Sequence, residues 1–148
     1  MKRIGGVLLL LLVAPLAAAL DVRVGPFFEV KGITRTNGQV VLPLERRKYS
    51  NLRLLDKSTR DFISACTEPC VQSAARVDVS VMDVRPAQTR PGMWIASVAF
   101  NRAWLVTFLV FQHGEHYTSK PPAGFVFLDA TLRTQTEELL QRAVVELK

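Results

Sequence analysis

Most of the chain alternates apolar and polar residues with a period of two, which is typical of strands that bury one face. The alternation covers residues 21–30 and returns over residues 77–81, with a change of phase at Met82 that predicts a β-bulge. Residues 33–36 and 39–42 flank Asn37-Gly38, a pair that favours a type I′ hairpin because both central positions need positive φ. The first half of the chain therefore predicts antiparallel strands.

Two longer strands, predicted at 93–100 and 103–111, are apolar on both of their alternating faces. Strands that are buried on both faces have this composition. Asn101 suits a tight turn between them and Arg102 suits it less well, so a longer loop is the alternative. Arg102 lies in the middle of this stretch, where an arginine is costly in a membrane, so residues 93–111 are not expected to form a transmembrane helix. We expect that either the N-terminal hairpin closes the second face into a sandwich, or this strand pair forms a homodimer interface.

Two segments have the signals of helices. Ser58 with Asp61 three residues later resembles a capping box, which predicts a short helix near 58–67 that ends before Pro69. The segment near 131–146 is amphipathic, with apolar residues at helical spacing. Runs of strands with two helices predict an α+β fold, with a mostly antiparallel sheet of about 5–7 strands.

The first nineteen residues have the order of a secretory signal peptide. Lys2-Arg3 forms a positive start, an apolar run follows, and Ala17–Ala19 matches an A-x-A cleavage site. We expect residues 1–19 to be removed, which leaves residues 20–148 as a single exported domain, periplasmic or extracellular, without a transmembrane segment. The alternative is an uncleaved N-terminal anchor, since the seventeen residues of segment 4–20 are at the lower limit for crossing a bilayer.

The chain has two cysteines, Cys66 and Cys70. In an oxidising compartment such a pair usually forms a disulfide, and residues four apart at a helix end have a suitable Cα separation. We expect a small structural bridge that contributes about 2 kcal/mol. The alternative is a thiol–disulfide redox site, which the C-x3-C spacing and the nearby Glu68 disfavour.

The two histidines of the chain occur in a short polar segment. His113, Glu115 and His116 are residue types that bind zinc or copper. Between a strand and two prolines they lack the one-face geometry that H-E-x-x-H has on a helix, so we expect a solvated hairpin tip, no metal and no cofactor. Neither a nucleophile elbow nor a phosphate-binding glycine loop occurs, so an enzyme is not expected. A small extracytoplasmic enzyme that uses this segment or the cysteine pair is the alternative.

Positive charge is concentrated in one part of the chain. The formal net charge is +6, and segment 45–60 contains six cations against two acids. Such a segment is either a solvated loop or a patch that binds phosphates, anionic lipid headgroups or an acidic polymer. The best-placed candidates for anion binding are Arg46, Arg47, Lys48 and Arg53. The sequence therefore predicts a non-catalytic binding or accessory protein of the cell envelope, with an envelope protein or an anionic polymer as its partner.

Overall fold

A computed structural model describes residues 19–43 and 51–147, and the described part of the chain is an α+β structure, as predicted. Its elements in chain order are β1 (Ala19–Val24), β2 (Phe28–Thr36), β3 (Gln39–Val41), β4 (Leu52–Leu54), α1 (Lys57–Ala65), β5 (Cys70–Gln72), β6 (Val79–Pro86), β7 (Met93–Phe100), β8 (Trp104–His113), β9 (His116–Lys120), β10 (Phe125–Phe127) and α2 (Ala130–Glu146). The predicted signal peptide lies outside the described residues, except for Ala19, which begins β1. Neither helix of the described ranges is long and apolar enough to cross a membrane.

The ten described strands form two sheets, whereas the sequence predicted one sheet of about 5–7 strands. In the first sheet the order is β10-β2-β1-β5, with β3 beside β10 on the same edge of β2. In the second sheet the order is β4-β8-β7-β6, with β9 beside β4 on the edge of β8. Every described pairing is antiparallel except β1 with β5, which confirms the mostly antiparallel prediction. The predicted bulge is present in β6, where the register shifts between Val81 and Asp83.

Two turns with positive φ values connect β2 to β3 and β7 to β8. Asn37 and Gly38 have φ values of 51° and 74°, which confirms the predicted type I′ geometry between β2 and β3. Asn101 and Arg102 both have φ of 53°, and the loop that joins β7 to β8 includes Ala103. The connection is therefore the longer loop, which the sequence analysis gave as the alternative to a tight turn at Asn101-Arg102.

The main core lies between the two sheets and contains a cluster of aromatic rings. The Phe28 ring centroid lies 5.4 Å from that of Phe100, 6.1 Å from that of Trp104 and 5.2 Å from that of Phe125. α2 contributes Leu132, Leu140 and Val144 to the same core, and it contacts β6 and β9 of the second sheet. The two sheets do pack face to face, but the first sheet and α2 share one face of the β7–β8 pair. The prediction that the N-terminal hairpin closes the second face of this pair is therefore wrong, because the hairpin packs on the face that α2 also covers.

The other face of β7 and β8 carries a smaller apolar cluster. It consists of Ala87, Met93, Ile95 and Leu109, with Phe111 packed against them. These four residues are buried, at 5–8% exposure each. Association of two copies through the 93–111 strand pair stays a prediction, which sedimentation at micromolar concentration would test.

The start of α1 differs from the prediction. The helix begins at Lys57 with Asp56 at the N-cap position, so Ser58 lies inside the first turn and the predicted capping box is wrong. The Ser58 hydroxyl donates to Asp56 Oδ2 (2.8 Å), and Asp61 forms an ion pair with Lys57 (N–O 3.8 Å).

The prediction for α2 is confirmed. Its buried residues are Leu132, Thr136, Leu140 and Val144, which repeat every four positions and form one stripe. At its N-terminus the Asp129 carboxylate accepts hydrogen bonds from the backbone N–H groups of Thr131 (3.4 Å) and Leu132 (3.2 Å). This cap satisfies two of the amide groups that have no partner within the helix.

Candidate functional site

The two cysteines form the predicted bridge. Cys66 and Cys70 are disulfide-bonded, with their Cα atoms 5.7 Å apart. Cys66 is the C-terminal cap of α1, and Cys70 is the buried first residue of β5, which pairs with β1. The bridge therefore ties the end of a helix to the edge of the first sheet.

The same end of α1 is held by an arginine that the sequence pattern did not indicate. Arg35 Nη1 donates to the carbonyl oxygen of Cys66 at 2.7 Å, and the carbonyl oxygens of Ile63 and Ser64 lie 3.4 Å and 3.3 Å from the same nitrogen. Carbonyl groups in the last turn of a helix have no helical partner, and a cation there also interacts favourably with the helix dipole. Arg35 is about thirty residues away in sequence, so a local pattern carries no sign of this contact.

The histidines lie at the tip of the β8–β9 hairpin, as the sequence predicts. His113 pairs with His116 across the hairpin, Glu115 is in the turn, and all three side chains are exposed. His113 Nε2 lies 3.2 Å from the Thr118 hydroxyl oxygen. Within residues 19–43 and 51–147, no group of three or more His, Cys, Asp or Glu side chains is arranged to hold a metal ion.

A basic concave surface lies where β3, β4 and α1 meet. We call it the arginine cleft; it has a volume of about 370 Å³ and is lined by Val40, Val41, Leu42, Leu52, Arg53, Leu54 and Arg60. β3 belongs to the first sheet and β4 to the second, and α1 packs against both. The cleft therefore forms at the junction of the two sheets.

Hydrogen bonds to the β7–β8 hairpin fix β4, which contributes Arg53 to the cleft. At its start, the Thr107 N–H donates to the Asn51 carbonyl (2.9 Å), and the Thr107 hydroxyl donates to the Asn51 side-chain oxygen (2.7 Å). At its end, the Leu55 N–H donates to the Ala103 carbonyl (2.8 Å). Arg53 is thus attached to a strand that is anchored at both ends.

Both arginines of the cleft are exposed, and among the described residues neither forms an ion pair. The acids beside them in sequence have other partners: Asp61 pairs with Lys57, and Asp56 accepts from Ser58. Burial by itself raises the pKa of Asp56, but hydrogen bonds from the Thr59 and Ser58 side chains outweigh it and lower the pKa below 3.8. Asp56 is therefore ionised at neutral pH and engaged with its own helix turn.

Three other concave surfaces of the described chain have a different charge. One beside the disulfide contains Asp21, Glu29 and Glu68 together with Arg23. Of the two that border α2, one contains Glu137 and Glu138, and the other contains the ion pair of Arg133 with Glu137. Within residues 19–43 and 51–147, the lining of the arginine cleft contains five aliphatic residues, two arginines and no carboxylate. A negatively charged ligand would therefore meet an excess of carboxylates at two of these surfaces and a neutral ion pair at the third, whereas the described lining of the cleft offers cations alone.

The structure describes one of the four predicted anion-binding residues, and anion binding itself stays a prediction. Arg53 lies in the cleft, whereas Arg46, Arg47 and Lys48 lie outside the described residues, between Pro43 and Asn51 in the sequence. Arg60 joins Arg53 because α1 packs against β4, and it was visible in the sequence only as one of six cations in segment 45–60.

No protein-family model, curated protein or solved structure matches this chain. Its function is therefore inferred from its own residues. Among the described concave surfaces, the arginine cleft is the one with an excess of positive charge.

Proposed function

We propose that this protein is an exported, non-catalytic binding or accessory protein of the cell envelope, and that it holds an anionic partner at the arginine cleft. The classes of partner considered are an acidic polymer, an acidic surface of an envelope protein and an anionic lipid. The observation that carries the proposal is the presence of Arg53 and Arg60 in one concave surface that has no acid among its described lining residues. Arg46, Arg47 and Lys48 are proposed, from the sequence alone, to contribute to the same binding.

Guanidinium groups are suited to this role. Arginine presents a planar set of donors that matches phosphate and carboxylate oxygens in pairs, and it stays charged at any physiological pH. Exposed ion pairs are weak one at a time, at about 0–1 kcal/mol each, so several cations must act together. Two arginines in one cleft meet this requirement better than cations scattered over the surface.

Two features support export. The first nineteen residues have the order of a signal peptide, and the Cys66–Cys70 disulfide is of the kind that persists in oxidising compartments. Intact mass of the protein from its native host, taken before and after reduction with alkylation, tests this part. We expect a chain that begins at Leu20 and reacts with the alkylating reagent only after reduction. A full-length chain with two reactive thiols would contradict it.

Anion binding is tested by fluorescence anisotropy with labelled polyphosphate as the probe. The double variant Arg53→Gln/Arg60→Gln should weaken binding about tenfold or more, since it removes two charge-assisted contacts. The control is Arg102→Gln/Arg142→Gln, which removes the same charge from two exposed arginines on the β7–β8 turn and α2. Equal losses in the two double variants would mean that net charge, and not the cleft, drives binding.

The second half of this test varies the salt concentration and the three cations that lie outside the described residues. The Debye length falls from about 10 Å at 0.1 M salt to about 3 Å at 1 M, so affinity should fall steeply over this range. The triple variant Arg46→Gln/Arg47→Gln/Lys48→Gln should weaken binding as well. Affinity that does not change with salt or in either set of variants would refute the proposed function.

A further inference from the structure

The walls of the arginine cleft have a composition that a simple anion does not require. Five of its seven lining residues are aliphatic, and they come from β3 on one side and β4 on the other. Val40 and Leu52 belong to the main core, at 8% and 7% exposure, whereas Leu42 and Leu54 are only partly buried. Val41 is 41% exposed, so an apolar wall of the cleft faces the solvent.

Exposed apolar surface continues from the cleft along the chain. Leu55, directly after β4, is 47% exposed. Arg53 sits between Leu52 and Leu54 in β4, so charged and aliphatic groups alternate along one short strand. Solvent-facing apolar area beside unpaired cations matches a ligand that has both an apolar part and a negative charge.

We propose that the ligand of the arginine cleft is an anionic lipid, with its acidic headgroup at Arg53 and Arg60 and part of one acyl chain along Val41, Leu42 and Leu54. This inference rests on the proposed function, because it takes anion binding at the cleft as given and names the ligand. The volume of about 370 Å³ lies at the lower end of the range for small-molecule sites.

The ligand class is tested by isothermal titration calorimetry of the disulfide-bonded protein. The probes are inorganic phosphate and the butyl, octyl and dodecyl monoesters of phosphate, each kept below its micelle concentration. Burial of one methylene is worth about a fourfold gain in affinity. We expect the affinity to rise with chain length until the cleft is full, and inorganic phosphate to bind weakest.

Matched variants locate the binding. Val41→Ser should weaken binding of the octyl ester about three- to tenfold, since it removes apolar contact area. Val71→Ser is its control, because Val71 is a strand residue of similar exposure (48%) that lies on β5, away from the cleft. Arg53→Gln/Arg60→Gln should weaken binding of every ester, while Arg102→Gln/Arg142→Gln should leave it unchanged.

Each outcome distinguishes this inference from the proposed function. Equal affinity for phosphate and all of its esters, lost in the Arg53/Arg60 variant, would overturn the lipid assignment and keep anion binding. Chain-length dependence that is the same in Val41→Ser and Val71→Ser would mean unspecific detergent binding and would also overturn it. Polyphosphate binding without any ester binding would favour an acidic polymer. Absence of binding to both classes of probe would refute both proposals.

Discussion

Replacing Gly124 with alanine should destabilise this fold far more than the same replacement at Gly38, although both glycines have positive φ. At Gly38 (φ 74°) an added Cβ meets no atom within 4 Å, so the cost is that of the left-handed backbone alone, about 1 kcal/mol. At Gly124 (φ 87°) the same Cβ would lie 2.8 Å from the Lys31 carbonyl oxygen and 2.8 Å from Pro43 Cγ. Neither contact is with a flexible side chain, so the backbone must move.

The movement has a further cost because two segments of the chain, around Lys31 and Gly124, are hydrogen-bonded to each other at this point. The Lys31 N–H donates to the Gly124 carbonyl at 2.7 Å, beside the pairing of β10 with β2. Overpacking usually costs about 1–3 kcal/mol in addition to the backbone strain, so the Gly124→Ala variant should lose about 2–4 kcal/mol. Urea unfolding of the disulfide-bonded proteins, followed by tryptophan fluorescence, measures both variants with a common m value. A difference of less than about 1 kcal/mol between them would refute this reasoning.

Three further predictions concern α1 and its surroundings. Arg35→Gln should destabilise the protein by about 1–3 kcal/mol in urea unfolding, because it removes the cation that donates to the last carbonyl groups of α1. Arg35→Lys should recover part of this loss, and equal stability of the Gln and Lys variants would contradict the prediction. Cys66→Ser/Cys70→Ser should lower the stability by about 2 kcal/mol, and reduction of the wild type should cause a similar loss, while reduction of the variant should have no effect. The lowered pKa of Asp56 means that its stabilising contribution is present above pH 3.8 and is lost as the pH falls through the folded-state pKa. Asp56→Asn and the wild type should therefore differ in stability at pH 6 and converge at low pH; a constant difference would show that Ser58 and its neighbours do not favour the charged carboxylate.

Several elements were predictable because the interactions that form them are local. The Asn37-Gly38 turn depends on the φ preferences of two residues, and the α2 stripe depends on a period that one turn of helix sets. The Cys66–Cys70 bridge spans four positions, so chain connectivity alone brings the sulfur atoms near each other. The bulge in β6 follows from a change in phase that is visible over a few residues.

Other elements carry no local signal. β4 and β5 have three residues each, too few to display a period, and β9 is polar throughout except for its tyrosine. They are strands because β8 and β1 offer unpaired backbone groups at their edges.

The sequence by itself determined the class of the fold, the two helices, the main hairpins, the cysteine pair and the concentration of cations in segment 45–60. Only the tertiary structure decided that the first sheet and α2 share one face of the second sheet, that Arg35 closes α1, and that Arg53 and Arg60 meet in a cleft with aliphatic walls. The physical reason is distance along the chain. Propensity and periodicity act over one or two turns, whereas the cleft joins strands of different sheets, whose approach depends on how the whole apolar core packs.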